Sequence, residues 1–200
     1  MGDPTLAARR YYAQRADRYE AGSRRGLWRY LRELETPVVM RLAQLSPGMR
    51  ALDAGCGAGH YAAALLAAGA IVTGMDVSSE MLAQTRSRLG IETIEGDVLT
   101  ADLSPVYDRI VCAGVLEFVP RRAEALKNLA RGLAPGGKLV VLILARCLAG
   151  YGFWALRRVY GVRMPLLRRR DLDALAAEAG LVVEACERAG FNWVARLARA

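Results

Sequence analysis

The stretch LDAGCGAGHY, residues 52–61, places Gly55, Gly57 and Gly59 at alternate positions directly after an apolar run that ends in Asp53. Glycine costs about 0.5–1 kcal/mol relative to alanine inside regular structure, so such a cluster marks a backbone path or a close approach that a Cβ would forbid. The run before it, Met49–Ala54, reads as a short buried strand, and the alanine-rich Tyr61–Ala68, stopped by Gly69, reads as a helix. A strand, a bare loop and a helix in that order place a ligand against the loop.

The same alternation continues down the chain. A strand is predicted at Ile71–Met75, then a helix capped by Ser78 that runs to Gly90, then strands at Ile91–Glu95 and Asp108–Ala113. A helix follows at about Arg122 to Leu133, and APGGKLVVLILA reads as a turn and a strongly apolar strand. Continuous apolar runs alternating with helices predict an α/β fold with a doubly wound parallel sheet covered on both faces. Asp171–Ala179 is a further helix, while Leu181–Arg188 and Phe191–Leu197, separated by a turn at Gly190, predict a closing antiparallel hairpin.

With 200 residues, 54% of them hydrophobic, the chain is expected to form a single domain. Met1–Arg10 lacks an apolar stretch of signal-peptide length, and no run of about 18 uncharged apolar residues occurs, so a cytoplasmic protein is expected. Cys56, Cys112, Cys147 and Cys186 are widely spaced among apolar or small residues, which predicts buried free thiols and no metal site. Residues 50–145 carry 9 basic and 10 acidic side chains against 28 and 20 in the whole chain, so the net +8 arises outside the middle. Arginine-rich composition and an anionic partner both account for that excess.

At the carboxyl edge of a doubly wound sheet, glycines after the first strand let the backbone approach a ligand. The dinucleotide pattern G-x-G-x-x-G is not met, because His60 stands where its third glycine belongs. Pyrophosphate is therefore disfavoured. Asp76, closing the second strand about 20 residues on, can accept from both hydroxyls of a ribose. Asp97, in EGDVLT, can accept from an adenine amino group.

LDAGCGAG, GMDVSSEML, EGDVLT, DRIVCAGVLEFVP and LAPGGKLVVL stand together in an order and spacing that resemble the class I S-adenosylmethionine-dependent methyltransferases, over roughly residues 50–145. The resemblance implies a Rossmann-like seven-stranded sheet, mostly parallel with an antiparallel last strand, and S-adenosyl-L-methionine as cofactor. It implies that Asp53, Gly55, Gly57 and Gly59 surround the methionine part and that Asp76 holds the ribose. Asp97 and Val98 would border the adenine, Val77 and Met81 would pack on it, and Ala113 and Gly114 would face the methionine moiety. It further implies an N-terminal helical lid over residues 1–45, preceding a methyltransferase domain over 46–200. YYAQRADRYE resembles the lid helix of this family, with Tyr12, Ala16 and Tyr19 on one face; a tyrosine there could close over a sulfonium.

The family often carries histidine where this chain has Phe118, so a ready base is missing and the catalytic residue stays unassigned. His60, the only histidine, is either a base or a helix-start residue, and Glu117 either structural or catalytic. Methyl transfer from a sulfonium can proceed on positioning alone.

Residues 146–170, RCLAGYGFWALRRVYGVRMPLLRRR, hold seven arginines, no acid, and an apolar stripe of Phe153, Trp154, Leu156, Val159 and Tyr160. This predicts a cap insertion that covers the sheet, meets an apolar anionic acceptor, or touches a membrane surface peripherally. No nucleic-acid recognition module occurs. The sequence thus predicts a methyltransferase acting on a small-molecule or lipid-like acceptor; a non-catalytic cofactor-binding protein of the same fold and an aminopropyl transferase are the alternatives.

Overall fold

The apolar runs divide their side chains between two cores, as strands buried on both faces must. In the computed structural model, which describes residues 26–104, 106–148, 150–152 and 166–200, seven strands form one sheet. They are β1 (Arg50–Ala54), β2 (Ile71–Asp76), β3 (Glu92–Glu95), β4 (Tyr107–Ala113), β5 (Leu133–Leu144), β6 (Leu181–Ala189) and β7 (Asn192–Arg199). Among the described residues the helices that accompany them are α1 (Gly26–Ala43), α2 (His60–Ala67), α3 (Ser79–Leu89), α4 (Arg122–Arg131) and α5 (Arg169–Glu178).

The sheet order is β3-β2-β1-β4-β5-β7-β6. Neighbours from β3 to β5 are parallel, and β7 enters antiparallel between β5 and β6. The order reverses between β1 and β4, the switch point outside which ligands of open α/β sheets bind.

Alternate residues of the central strands face opposite ways. Leu52, Ile110, Cys112, Leu139, Val141 and Ile143 join Leu126 and Leu129 of α4 and Leu172 and Ala176 of α5 in one core. Ala51, Val72, Val111, Val140 and Leu142 join Val39 and Leu42 of α1 and Tyr61 and Leu65 of α2 in the other. Burying one large aliphatic side chain contributes about 1.5–3 kcal/mol, so the two layers together hold the sheet between its helices. On one face α1 packs against β5, β6, β7 and α2. Its last turn is tied by Arg41, whose two guanidinium nitrogens both donate to the Glu187 carboxylate on β6.

The predicted elements stand within a residue or two of their places, with one exception in kind. The APGG turn lies inside β5: Tyr107 pairs with Leu133 and Arg109 with Lys138, so extra residues of β5 loop out. Gly136, at φ +74°, makes the excursion, and a Cβ on Gly137 would press on the carbonyls of Ala134 and Tyr107. Ser78 caps α3 by accepting from the Met81 amide, and Gly90 closes that helix in the left-handed region. All four thiols are free; Cys56 and Cys112 are buried as expected, but Cys147 and Cys186 are only half-buried. Cys147 departs because it lies just past the end of β5, where its sulfur accepts from the Arg188 guanidinium and the Gly150 amide.

Candidate functional site

The three glycines after β1 serve three different needs. A Cβ on Gly55, at φ +78°, would collide with the side chain of Val115 in the loop after β4. One on Gly59, at φ +79°, would press on Leu89 and Thr85 of α3. Gly57, at φ +51°, has nothing within 4 Å of its Cβ position. The first two let elements pack; the middle one leaves room.

Backbone and carboxylates hold this loop in shape. The Gly55 and Cys56 amides both donate to the Met75 carbonyl, and the Gly57 amide donates to Asp76 Oδ2 at 2.8 Å. Thr85 Oγ1 donates to the Gly57 carbonyl. Asp53, 1% exposed, accepts from the Ala62 amide in the first turn of α2 at 2.8 Å. Burial pushes its pKa up to about 7, against the opposing pull of that hydrogen bond and of Arg32.

Asp76 accepts from the Gly57 amide on Oδ2 and the Ser78 amide on Oδ1, the Val77 amide also favours its charged form, and burial raises its pKa despite them. A carboxylate offers about four lone-pair sites, so it retains capacity for further donors. Its own carbonyl accepts from Gly96, which joins the ends of β2 and β3. Asp97 shapes the next turn: Oδ1 accepts from Leu99, and its carbonyl from Thr100 and Ala101. Val77 is half-buried, Val98 is buried, and Met81 is fully packed at 1% exposure. After β4, Ala113 is half-buried and Gly114, at φ +70°, again has open space at its Cβ position. The chain thus brings Asp53, Gly55, Gly57, Gly59, Asp76, Val77, Met81, Asp97, Val98, Ala113 and Gly114 to the carboxyl ends of β1 to β4. Tyr12 and Tyr19 lie outside the described residues, as do Phe153, Trp154, Leu156 and Tyr160 of the cap segment.

A buried polar network beside the glycine loop was not foreseen from sequence. Glu35 of α1, 5% exposed, accepts from Tyr61 Oη and Arg32 on Oε2 and from Asn192 Nδ2 on Oε1 at 2.7 Å. Arg32 also donates to Tyr61 Oη and lies over its ring. Helical spacing pairs Arg32 with Glu35, but only the fold brings Asn192 to them. His60 begins α2, its Nε2 2.8 Å from Thr36 Oγ1. Desolvation, with the Arg32 and Arg88 cations, pushes its pKa down to about 4, so it is neutral near pH 7.

Glu117, in the loop after β4, is 3% exposed. Its Oε1 accepts from the Leu144 amide at the end of β5, and its Oε2 is buried with no hydrogen-bond partner. Burial pushes this carboxyl up to about 7; Glu35 adds to the rise and Arg122 opposes it. Among the described residues no group of His, Cys, Asp and Glu could hold a metal ion, and no helix is long and apolar enough to cross a membrane.

Residues 52–141 match the model of the methyltransferase domain family. A ubiquinone biosynthesis O-methyltransferase from Alkalilimnicola ehrlichii is 30% identical over 161 residues, covering 72% of this chain and 65% of that protein. A trans-aconitate 2-methyltransferase from Methylobacterium nodulans is 39% identical over 100 residues, covering 48% of this chain and 39% of that one. The chain spans less than two thirds of the length of either curated relative. Among solved structures, the magnesium protoporphyrin IX methyltransferase of Synechocystis with bound SAH superposes at a TM-score of 0.79 with 19% identity, covering 99% of this chain and 100% of that one, which is a likeness of fold.

Proposed function

We propose that the chain, which resembles the class I S-adenosylmethionine-dependent methyltransferases, binds S-adenosyl-L-methionine at the carboxyl ends of β1 to β4 and methylates a small-molecule acceptor. The observation that carries this reading is the pair of left-handed glycines, Gly57 and Gly114, each bare of neighbours at its Cβ position, on loops that leave adjacent strands. A ligand can lie against both backbones there. Asp76, with lone pairs to spare beside Gly57, suits a ribose diol, and Asp97 and Val98 suit the adenine edge. Val77 and Met81 would flank the ring, while Asp53, Gly55, Gly57, Gly59, Ala113 and Gly114 surround the methionine part. When bound, the cofactor supplies an electrophilic methyl group on a sulfonium.

We place the lid in residues 1–45, with Tyr12 and Tyr19 as its closing face; its second half includes α1, which packs into the core. The cap, residues 146–170, is the acceptor side of the same reading. Arg168, Arg169 and Arg170 stand at the start of α5, where the helix dipole disfavours cations, and Asp171 and Asp173 answer only part of that charge. An anionic, apolar acceptor or membrane surface would relieve the remainder. The names of the relatives, which point to ubiquinone biosynthesis and a porphyrin, fit acceptors of that kind.

The test is calorimetry of S-adenosylhomocysteine binding. Asp76→Ala is expected to weaken binding by the equivalent of about 1–3 kcal/mol while the fold survives. Unchanged affinity in the variant, or a wild type that prefers NAD, would overturn the assignment. Transfer of labelled methyl to a panel of quinol, phospholipid, tetrapyrrole and phenolic acceptors then separates an enzyme from a protein that only binds the cofactor.

A further inference from the structure

Buried carboxylate oxygens are costly when nothing donates to them. Glu117 Oε2 is such an atom, on a side chain 3% exposed whose other oxygen is fixed at 3.0 Å from the Leu144 amide. The loop that carries it is stitched to β5 twice, since the Gly114 amide also donates to the Leu142 carbonyl. The orphaned oxygen therefore belongs to the same short loop as the bare backbone of Gly114, three residues earlier, and that loop leaves the sheet at its switch point. Among the described residues, two other acids of this edge are already engaged. Glu35 is engaged by Arg32, Tyr61 and Asn192, and Asp76 holds the glycine loop.

We infer that Glu117 takes up the acceptor's proton, its Oε2 receiving the O–H or N–H of the atom that becomes methylated. This rests on the methyltransferase reading above. As the acceptor heteroatom forms its bond to the methyl carbon, the carbon–sulfur bond breaks with its electron pair left on sulfur. The heteroatom's proton passes to Oε2, turning the carboxylate into a carboxylic acid that later releases the proton to water.

The surroundings suit the task. A base works best with a pKa near the working pH, and Glu117 is pushed up to about 7. The groups that act on it are Glu35 on α1, Cys112 on β4 and Arg122, whose Nε donates to the Leu116 carbonyl, and Glu35 is itself held by Arg32, Tyr61 and Asn192. Burial raises Tyr61 and Cys112 beyond physiological titration. Burial also raises Glu35, the nearest competitor, but its oxygens are already taken.

The test needs no identified acceptor. Sinefungin carries an amine-bearing carbon where the cofactor has its methyl sulfonium, so its ammonium reports a carboxylate near the transfer point; S-adenosylhomocysteine, lacking it, is the reference. Wild type is expected to bind sinefungin about tenfold more tightly than the reference at about pH 8.5, falling toward equality by about pH 5 as Glu117 protonates. Glu117→Gln, whose amide oxygen can still accept from Leu144, should bind the reference as wild type does and show a flat ratio at every pH. A variant that keeps the wild-type ratio and its pH dependence would mean a structural role only and would overturn the inference. If the variant does not fold, the wild-type titration decides, and a ratio flat with pH sinks it. Failure of the reference itself to bind would instead remove the methyltransferase premise.

Discussion

The loop after β1 and the loop after β4 leave neighbouring parallel strands at the same edge of the sheet, yet the first closes its polar groups on the protein and the second leaves one open. Asp53 caps α2, Gly57 is held by Asp76, and the Gly57 carbonyl is taken by Thr85. Glu117 uses one oxygen on Leu144 and keeps the other bare. A self-satisfied loop offers shape to a ligand, whereas a buried unpaired acceptor offers chemistry. On the proposed reading both loops bind the cofactor and only the second adds a reacting carboxylate; the two strand ends meet where Gly55 approaches Val115.

That contact provides the largest test of the comparison. Gly55→Ala should destabilise the protein by roughly 2–5 kcal/mol, combining the left-handed backbone with overpacking against Val115. Adding Val115→Ala should recover the steric share and leave the backbone share of about 1–2 kcal/mol. Gly57→Ala, with open space at its Cβ position, should cost only that backbone share. Equal losses at Gly55 and Gly57 in denaturant unfolding would show that the two loops do not press on each other.

Next in size is the pH dependence of folding. Asp53 and Glu117 both stand near pKa 7 in the fold, above their ordinary values of 3.8 and 4.5. A carboxyl raised by folding stabilises the native state fully below its unfolded pKa and loses that contribution as pH rises through the folded one. Stability should therefore fall between about pH 4 and pH 7, by on the order of 3 kcal/mol for each group. Glu117→Gln and Asp53→Asn should each remove one share of the slope, read from urea unfolding across that range. A slope unchanged by Glu117→Gln would mean that water reaches the carboxyl.

How much of this was legible depended on distance along the chain. The glycine loop, the Ser78 cap and the Gly90 stop are local features, and residues within a few positions of one another determine them. The APGG segment read as a turn because its glycines and proline say so; that it continues β5 is decided by the Tyr107 backbone, which local sequence does not contain. Glu35 and Asn192 are 157 residues apart, so neither shows in sequence that it is buried or paired. Glu117 was visible as an acid in LEFV, and its orphaned oxygen was not, because its one partner, the Leu144 amide, lies 27 residues further along the chain.

The smallest expected effect concerns the arginines at the end of the cap segment. Replacing Arg168, Arg169 and Arg170 by glutamine should reduce co-sedimentation with anionic vesicles at low salt, by about 1 kcal/mol per arginine, and less at high salt. Trp154→Ala should lower it further if the apolar stripe meets lipid. Negligible binding in every condition would leave a water-borne acceptor under an ordinary cap.

The place of β7 has a consequence for synthesis. β5 pairs with β4 on one side, but its other side waits for Asn192–Arg199, which follow α5 and β6 in the chain. While the ribosome makes those segments, the apolar LVVLIL run presents an unpaired edge, the kind of surface that joins other chains or recruits chaperones. Slow decoding between β5 and the hairpin would lengthen that interval. The yield of folded protein would suffer, while the finished sheet, once β7 has entered, would be no less stable.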